Sequence, residues 1–420
     1  MADNRKRKHK KRNGRAVPEK ERMKARAEAK AKKTEHIGGL ITSGVFLAIV
    51  FGFGAAFLFK PARSFSDMEN RVLAQTPEFS LESLKKGEFT ADIETYMSDQ
   101  IALKDTLVTL KTDMDRGLGK TYQNGVYFGK NGFYIQDFQT DLKQARRNIG
   151  FINEFADALP EDIPVGMILA PTGAYSLYER LPGSVQTMDQ GILLDEAENT
   201  LSPRISLTTA RELRGELSEG YYYRTDHHWT AEGAMVGFEA LMEAMGEESP
   251  MLDYDTERVP ELYGTLYSKA PSAFAKADTI ELRSFEGSGI KTAYTRPNGD
   301  HEVPAECREE KGVLVMDGLF AMSQADKKDK YAIFLGGNFA RLDITSETGS
   351  GEHVLVIKDS YANAMMPYLC EKYREITVLD LRYYHDMDIA QLVEEENVSR
   401  VIFIFNADFI NEDNNFGYLM

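Results

Sequence analysis

The sequence predicts an α/β protein, with a parallel sheet flanked by helices and one transmembrane helix before it. Three observations predict this fold. An uncharged apolar segment lies near the N-terminus. Apolar runs typical of buried strands alternate with helix-like segments in the C-terminal half, as in parallel sheets covered by helices. The chain has 420 residues, of which 42% are hydrophobic, enough for one large core or two modest ones.

The N-terminal segment predicts a membrane anchor. Residues 37–59 contain no charged side chain, and at about 1.5 Å per residue they can cross a hydrocarbon layer of ~30 Å. A cleaved signal peptide is the alternative, but this segment is longer than a usual signal core and no clear cleavage site follows. Residues 1–36 hold 15 Lys and Arg against 5 Asp and Glu. The positive-inside rule therefore predicts a cytoplasmic basic tail, with residues 60–420 outside the cell.

The rest of the chain is acidic. The whole protein carries a formal charge of -16 although its first 36 residues carry +10, so the remainder carries -26. Such a body would repel nucleic acid, and no nucleic-acid partner is expected. Its two cysteines, Cys307 and Cys370, lie in the predicted outer part. Their position allows either a disulfide or two buried thiols.

Residues 60–139 are predicted to form a stalk followed by a helical and hairpin segment. Apolar residues recur at helical spacing between 89 and 118. Two Asn-Gly pairs, at 124–125 and 131–132, bracket the apolar run 126–128, and such pairs favour hairpin turns. The segment therefore predicts helix followed by a hairpin.

Residues 140–420 are predicted to form the catalytic domain. Helices are expected at 141–159, 362–373 and 389–396. Strands are expected at 165–169, 312–315, 353–357, 376–379 and 401–405. Since helices separate the last three strands, these strands should be neighbours and parallel.

One pair of residues suggests general-base chemistry. Asp226 and His228 lie two positions apart, next to the only tryptophan, Trp229. In an extended segment, side chains two apart point to the same side, where the carboxylate could orient the imidazole. Thr230 is the expected N-cap of a helix over 231–245 that would hold the pair. A hydrated surface turn is the alternative interpretation.

Ser360 is the candidate nucleophile. It follows the apolar run 353–357 and precedes a helical segment, so it would lie at the C-terminal edge of a parallel sheet, where such folds hold their sites. Its own N–H could stabilise an oxyanion. An ordinary N-cap serine is the alternative. Gly337 and Asn338 are further oxyanion candidates, for which a tight turn is the alternative. Trp229 and Tyr361 are candidate substrate contacts, although aromatic residues more often pack in a core.

The string Asp226-His227-His228-Trp229 resembles the signature of the bacterial DHHW protein family, which is similar to the AlgJ/AlgX alginate O-acetyltransferase group. Other matching blocks follow in the family's order across residues 65–415. They are 96–100, 124–127, 263–269, 335–338 and 358–361.

This resemblance implies an SGNH-hydrolase-like domain whose Asp-x-His pair precedes the serine. Asp226 would orient, His228 would act as base and Ser360 would attack. The implied partners are a surface polysaccharide and an acyl donor, supplied in related systems by a membrane-bound O-acyltransferase. Neither a cofactor nor a metal is expected. No separate carbohydrate-binding module is evident, which leaves the sugar open.

Three alternatives remain. A non-catalytic polysaccharide-binding or assembly protein would keep the fold without turnover. A deacetylase would use the same acyl-enzyme with water as acceptor. A metal-dependent phosphoesterase would need several convergent carboxylates. Asp113 and Asp115 are its candidates, but residues two apart on a predicted helix point to different sides.

The predicted topology can be tested with protease added to intact cells. We expect digestion of residues 60–420 and protection of the N-terminal tail, because the basic flank of the span stays inside. Protection of the body together with digestion of the tail would reverse the assignment. Immunodetection of epitopes at the two ends distinguishes the outcomes.

Overall fold

A computed structural model of the chain describes residues 18–66, 68–69, 71–183, 185, 189–215, 217–250, 253–299, 301–386 and 388–420. The chain divides into two compact units. One contains residues 1–64 and 73–104, and the other contains residues 65–72 and 105–420.

The helices of the described residues are α1 Glu19–Phe59, α2 Leu81–Lys86, α3 Glu88–Gln100, α4 Lys104–Gly117, α5 Leu142–Ala158, α6 Gly173–Ser176, α7 Gly191–Thr200, α8 Ser218–Tyr221, α9 Ala231–Ala244, α10 Thr265–Lys269, α11 Ala362–Lys372, α12 Ile389–Glu395 and α13 Ala407–Glu412. The strands are β1 Phe65–Ser66, β2 Arg71–Val72, β3 Tyr122–Gln123, β4 Val126–Phe128, β5 Tyr134–Gln136, β6 Val165–Ala170, β7 Ile205–Thr208, β8 Asp255–Leu262, β9 Asp278–Ser284, β10 Lys291–Gly299, β11 Arg308–Glu310, β12 Val313–Asp317, β13 Phe339–Thr345, β14 Ser350–Lys358, β15 Tyr373–Leu379 and β16 Arg400–Asn406.

Helix α1 contains the predicted span. It is long and apolar enough to cross a membrane, which confirms an N-terminal helix of that kind. The helix is longer than the predicted 37–59, because it begins at Glu19 and includes much of the basic segment. Lys, Arg, Glu and Ala are good helix formers, so the helix extends upstream of the apolar stretch. Residues 1–17 of the predicted tail lie outside the described residues.

The helical spacing at 89–118 corresponds to two helices, α3 and α4. They are separated at Leu103, whose φ of 60° is incompatible with a continuous right-handed helix. In α4 the apolar Leu110 and Met114 are exposed, whereas Thr112 is fully buried. Arg116 extends from α4 to donate to Ser272 Oγ at 2.7 Å. A polar contact therefore attaches α4 to the segment that contains Ser272.

The predicted hairpin is confirmed. Asn124 (φ 49°) and Gly125 (φ 78°) form a two-residue turn, which places Gln123 opposite Val126. Positive φ at both central residues favours this Asn-Gly pair, because their twist matches that of the flanking strands. Strand β4 then pairs antiparallel with β5.

The central sheet has nine strands in the order β11-β12-β10-β13-β15-β14-β16-β6-β7. The five strands from β15 to β7 are mutually parallel, and β14 lies between β15 and β16 as predicted. The other four are joined by antiparallel pairings. The predicted strand 312–315 corresponds to β12 and belongs to this antiparallel half. The predicted α/β fold is confirmed, with an extension that the sequence analysis did not predict.

Helices cover the parallel strands. Phe155 of α5 packs edge-on against Phe403 of β16, with ring centroids 5.9 Å apart. Phe238 of α9 and Tyr368 of α11 also have centroids 5.9 Å apart. The residues of β16 from Val401 onward are fully or nearly fully buried, as expected for a strand covered on both faces.

Both cysteines are free thiols. Cys370 is fully buried in α11, whereas Cys307 is half-buried. Burial raises the pKa of the Cys307 thiol to about 11, and it also raises the pKa of Cys370. Neither thiol should be reactive at neutral pH, because the thiolate is the nucleophile.

We expect iodoacetamide to leave Cys370 unmodified in the native protein and to modify both cysteines after unfolding. Peptide mass spectrometry without reducing agent measures this. A peptide pair joined through Cys307 and Cys370 would contradict the structure. Rapid native labelling of Cys370 would contradict its burial in α11.

Candidate active site

Ser360 lies in the turn between β14 and α11, at the C-terminal end of the parallel strand. Asp359 holds this turn: its Oδ1 accepts from the Tyr361 N–H at 2.7 Å, and its Oδ2 accepts from the N–H and side-chain amide of Asn406 at 2.6 and 2.8 Å. Burial raises the pKa of Asp359 to about 6, although these donors oppose the shift. The N-cap position of α11 is Tyr361, without a side-chain cap. Ser360 is therefore not an ordinary capping serine.

The Asp226 segment is a loop and not the extended segment considered from the spacing of Asp226 and His228. Tyr222 and Trp229 pair across its ends. Asp278 holds its middle, accepting from the N–H groups of Arg224 and Thr225, each at 2.9 Å. Backbone hydrogen bonds to this buried carboxylate determine the course of the loop. Thr230 caps α9 as predicted, accepting from the Gly233 N–H at 3.2 Å.

The loop and the turn bring three predicted residues together. His228 Nδ1 lies 2.6 Å from Asp226 Oδ1, and His228 Nε2 lies 2.8 Å from Ser360 Oγ. Asp226 and His228 are almost fully buried, whereas Ser360 is partly exposed. Both distances are those of short hydrogen bonds.

The Asp226 carboxylate is surrounded by donors. Its Oδ1 also accepts from the His228 N–H at 3.0 Å, and its Oδ2 accepts from the N–H and hydroxyl of Thr265 at 2.8 and 3.2 Å. Gly264 makes this approach possible, because a Cβ there would come within 2.1 Å of Asp226 Oδ2. Burial raises the pKa of Asp226, but His228, His227 and the donated hydrogen bonds outweigh burial and hold the pKa well below its usual value.

An ionised Asp226 determines the tautomer of His228. The carboxylate can only accept at Nδ1, so Nδ1 carries the proton and Nε2 presents a lone pair to the Ser360 hydroxyl. The imidazole also stacks on Tyr331, with centroids 3.7 Å apart and planes 6° apart. Tyr331 donates to the Ser360 carbonyl at 3.2 Å, so this one tyrosine contacts both partners.

Ser360 opens into a cleft of about 1260 Å³. Its lining is largely polar and includes Lys328, Tyr263 and Asn338. Burial lowers the pKa of Lys328 to about 8. A second groove of about 480 Å³ also reaches Ser360. His227 lines both spaces, although in an extended segment it would point to the side opposite Asp226 and His228.

Gly337 and Asn338 both line the large cleft, but their polar groups differ. The Gly337 N–H already donates to the Phe334 carbonyl at 3.1 Å. The Asn338 side-chain oxygen accepts from Lys358 Nζ at 3.0 Å, which leaves its amide NH₂ without an acceptor among the described residues. Asn338 therefore has a donor available at the cleft, and Gly337 does not. Gly337 adopts φ 120° against the ring of His301, where a side chain would clash.

Lys358 orients Asn338. Although charged, it is fully buried, and its Nζ also donates to Asn363 Oδ1 at 2.7 Å and lies 3.9 Å from Asp380. A buried ammonium requires acceptors of this kind. This role of Lys358 could not be predicted from the sequence, because a lysine at a strand end is usually a solvated side chain.

The other two candidate contacts are buried. Trp229 is 0% exposed and donates from Nε1 to the Tyr361 carbonyl at 2.9 Å. Tyr361 is also 0% exposed, and its hydroxyl donates to the His227 carbonyl at 2.6 Å. Through these hydrogen bonds the two aromatic residues connect the loop to the Ser360 turn, and neither residue lines the clefts. Both side chains therefore pack in the core, which was the alternative to a substrate contact.

The carboxylates considered for a phosphoesterase lie elsewhere. Asp115 forms ion pairs with Lys111 and Lys120 at 2.9 and 2.8 Å, and Asp113 accepts from Ser272 at 2.5 Å. Within the described ranges, the compact group of potential metal ligands is Asp226, His227 and His228. Asp226 already accepts four hydrogen bonds, so this group fits a hydrogen-bonded triad better than a metal centre.

The comparisons with known proteins agree with the predicted resemblance. Residues 207–379 match the family model described as DHHW protein. The DHHW resemblance is confirmed. Residues 133–276 match a model described as SGNH hydrolase-like domain, acetyltransferase AlgX. No curated protein matches the chain.

Solved structures support the same fold. A DHHW family protein from Eubacterium siraeum is 20% identical, with a TM-score of 0.56 over 71% of this chain and 95% of that one. Bacillus cereus PatB1 is 19% identical, with a TM-score of 0.55 over 69% of this chain and 97% of that one. PatB1 with a sulfonyl adduct is 18% identical, with a TM-score of 0.57 over 70% and 100%. The SGNH-like fold is confirmed, and the chain is similar to acetyltransferases of that type.

The geometry predicts that an aryl sulfonyl fluoride will modify Ser360, because His228 can remove the hydroxyl proton during attack. In His228→Ala the rate of modification should fall ~10²-fold or more. Intact mass and peptide mapping measure the adduct. His385→Ala, at a histidine outside the clefts, is the control and should react at the wild-type rate. Equal labelling in His228→Ala would contradict activation by the imidazole.

Proposed function

We propose that the chain is a membrane-anchored, outward-facing O-acyltransferase or esterase that acts on cell-surface polysaccharide, and that residues 140–420 carry this activity. One observation carries the proposal. A buried carboxylate, an imidazole and a serine hydroxyl form a hydrogen-bonded chain of 2.6 and 2.8 Å that ends in a large polar cleft. This is the arrangement that nucleophilic acyl transfer requires.

The reaction would proceed in two halves. Ser360 Oγ attacks the acyl carbon of an ester, and His228 Nε2 takes the hydroxyl proton. The tetrahedral intermediate then expels the alcohol, which leaves with that proton, and the acyl group remains on Ser360. In the second half, a sugar hydroxyl or water gives its proton to His228 and attacks the acyl carbon. His228 then returns the proton to Ser360 as the acyl–enzyme bond breaks.

Asp226 supports both halves electrostatically. Each half transiently converts His228 into an imidazolium, which the ionised Asp226 at 2.6 Å stabilises. The oxyanion would be stabilised by the Asn338 amide and by the Ser360 N–H, which has no acceptor among the described residues. Such preorganised donors act where the negative charge develops.

The substrate follows from the comparisons and the cleft. The matching family model names an acetyltransferase, which supports acetyl as the transferred group. The large cleft offers tyrosine, amide and charged side chains, a surface suited to a hydroxyl-rich polymer. A membrane-bound O-acyltransferase is the proposed source of acyl groups, and helix α1 would keep the enzyme at the membrane where such a donor works.

The proposal is tested with the full-length protein in detergent or nanodiscs, an acetyl ester donor and a panel of surface polysaccharides. Mass spectrometry of free acetate and of the glycan separates hydrolysis from transfer. Acetylated glycan supports a transferase, and acetate alone supports an esterase. If neither product forms while the glycan binds, the chain is a non-catalytic polysaccharide-binding protein.

Replacing a triad residue should abolish turnover. Ser360→Ala and His228→Ala should each reduce acetyl release by at least ~10³-fold, and the double variant should be little worse, since the residues act as a unit. Asp226→Asn should also lose activity, because an amide can stabilise the wrong imidazole tautomer. Ester cleavage and circular dichroism measure rate and fold. Substantial turnover by folded Ser360→Ala would exclude this mechanism.

A further inference from the structure

A second imidazole lies beside the proposed triad. The ring centroids of His227 and His228 are 3.8 Å apart. The His227 side chain is 29% exposed, and it lines the large cleft and the second groove together with Ser360. The acyl-transfer steps described above give this residue no role.

Hydrogen bonding determines which nitrogen of His227 is available. The Thr265 hydroxyl donates its single proton to Asp226 Oδ2 at 3.2 Å, because an ionised carboxylate can only accept. The same hydroxyl oxygen lies 2.7 Å from His227 Nδ1. Since the hydroxyl has one proton, both contacts are hydrogen bonds only if His227 Nδ1 donates to the Thr265 oxygen, so that Nδ1 carries the proton of a neutral imidazole and Nε2 carries a lone pair.

His227 Nε2 has no hydrogen-bond partner among the described residues. Burial and the neighbouring His228 lower the pKa of His227, although the Asp226 carboxylate opposes the shift. A neutral ring keeps the lone pair at neutral pH. An unpaired acceptor next to a polar cleft is a binding position for a hydroxyl donor.

The hydroxyl bound there cannot be the attacking one. In the second half-reaction, that hydroxyl has one proton and donates it to His228 Nε2. A different hydroxyl must donate to His227, and the close spacing of the two rings favours one on the adjacent carbon. Two neighbouring imidazole acceptors thus match two neighbouring hydroxyls.

We propose that His227 Nε2 accepts a hydrogen bond from the hydroxyl vicinal to the reacting oxygen, which makes the site selective for 1,2-diol units of a carbohydrate. This inference rests on the proposed acyl-transfer function and adds the local chemistry of its acceptor. His227 is then a substrate-binding residue that orients the sugar, while His228 moves the proton.

The test uses esters, because by microscopic reversibility the leaving alcohol occupies the position of the acceptor. The full-length protein is assayed with the monoacetate of cis-1,2-cyclohexanediol and with cyclohexyl acetate, which differ by one vicinal hydroxyl. The wild type should cleave the diol ester about tenfold more efficiently in kcat/KM, as one hydrogen bond allows. In His227→Ala the ratio should fall to about one.

Two further variants complete the design. In His227→Gln the amide can reach the region of Nε2, so part of the preference should return. His385→Ala, outside both clefts, should keep the wild-type ratio. Modification of Ser360 by the sulfonyl fluoride verifies that each variant retains a folded nucleophile.

The outcomes separate this inference from the proposed function. An undiminished diol preference in His227→Ala overturns the inference. An equal loss for both esters in that variant also overturns it, because His227 would then support only the neighbouring triad. If the wild type cleaves neither ester and Ser360 is not modified, the proposed function fails, and the inference fails with it.

Discussion

A single buried carboxylate determines the geometry of this site. Asp226 accepts four hydrogen bonds, two from His228 and two from Thr265. Burying a charge is costly unless it is paired and hydrogen-bonded. The folded chain therefore has to bring the loop before α9 and the start of α10 to the same point. The glycine before Thr265 lets the two backbones approach closely enough.

The sheet supplies the other half of the site. Parallel strands end at one edge, and the turn after β14 is joined to the end of the neighbouring strand β16 through Asp359 and Asn406. The turn that carries Ser360 is therefore held by two adjacent strands. Tyr331 and Tyr361 fill the space between this edge and the loop, and each donates to a backbone carbonyl there. Aromatic packing and hydrogen bonds from these two tyrosines therefore both hold the Ser360 turn against the loop before α9.

Sequence periodicity predicted the elements whose burial is uniform. Runs that are mostly apolar identified β6, β14, β15 and β16, because strands covered on both faces leave few polar positions. The antiparallel half was largely missed, since a strand such as β10 is exposed at several positions and contains Pro297, which resembles a loop pattern. Most elements before β6 were predicted, but the break at Leu103 depends on a backbone angle that no residue type there signals.

The candidate site was also predictable only in part. Ser360, His228 and Asp226 were predicted as a triad from residue type and order, and they lie within hydrogen-bond distance of one another in the fold. The contacts of Thr265, Lys358 and His227 join residues distant in sequence and could not be predicted in this way. Trp229 and Tyr361 illustrate the opposite error, because their aromatic character suggested ligand stacking although both are buried. Residue types indicated the candidate triad, whereas the side chains that hold it in place depend on tertiary contacts.

The strand order also governs when the proposed site can assemble during synthesis of the chain. Strand β16 follows β6 and β14 in the chain but lies between them in the sheet, so the centre of the sheet stays open until residues 400–406 have emerged. The bond between His228 and Ser360 joins residues 132 apart, and such long-range closure is slow compared with local folding. A growing chain that has not yet reached β16 therefore lacks the Asn406 contacts that hold the Ser360 turn in the folded structure.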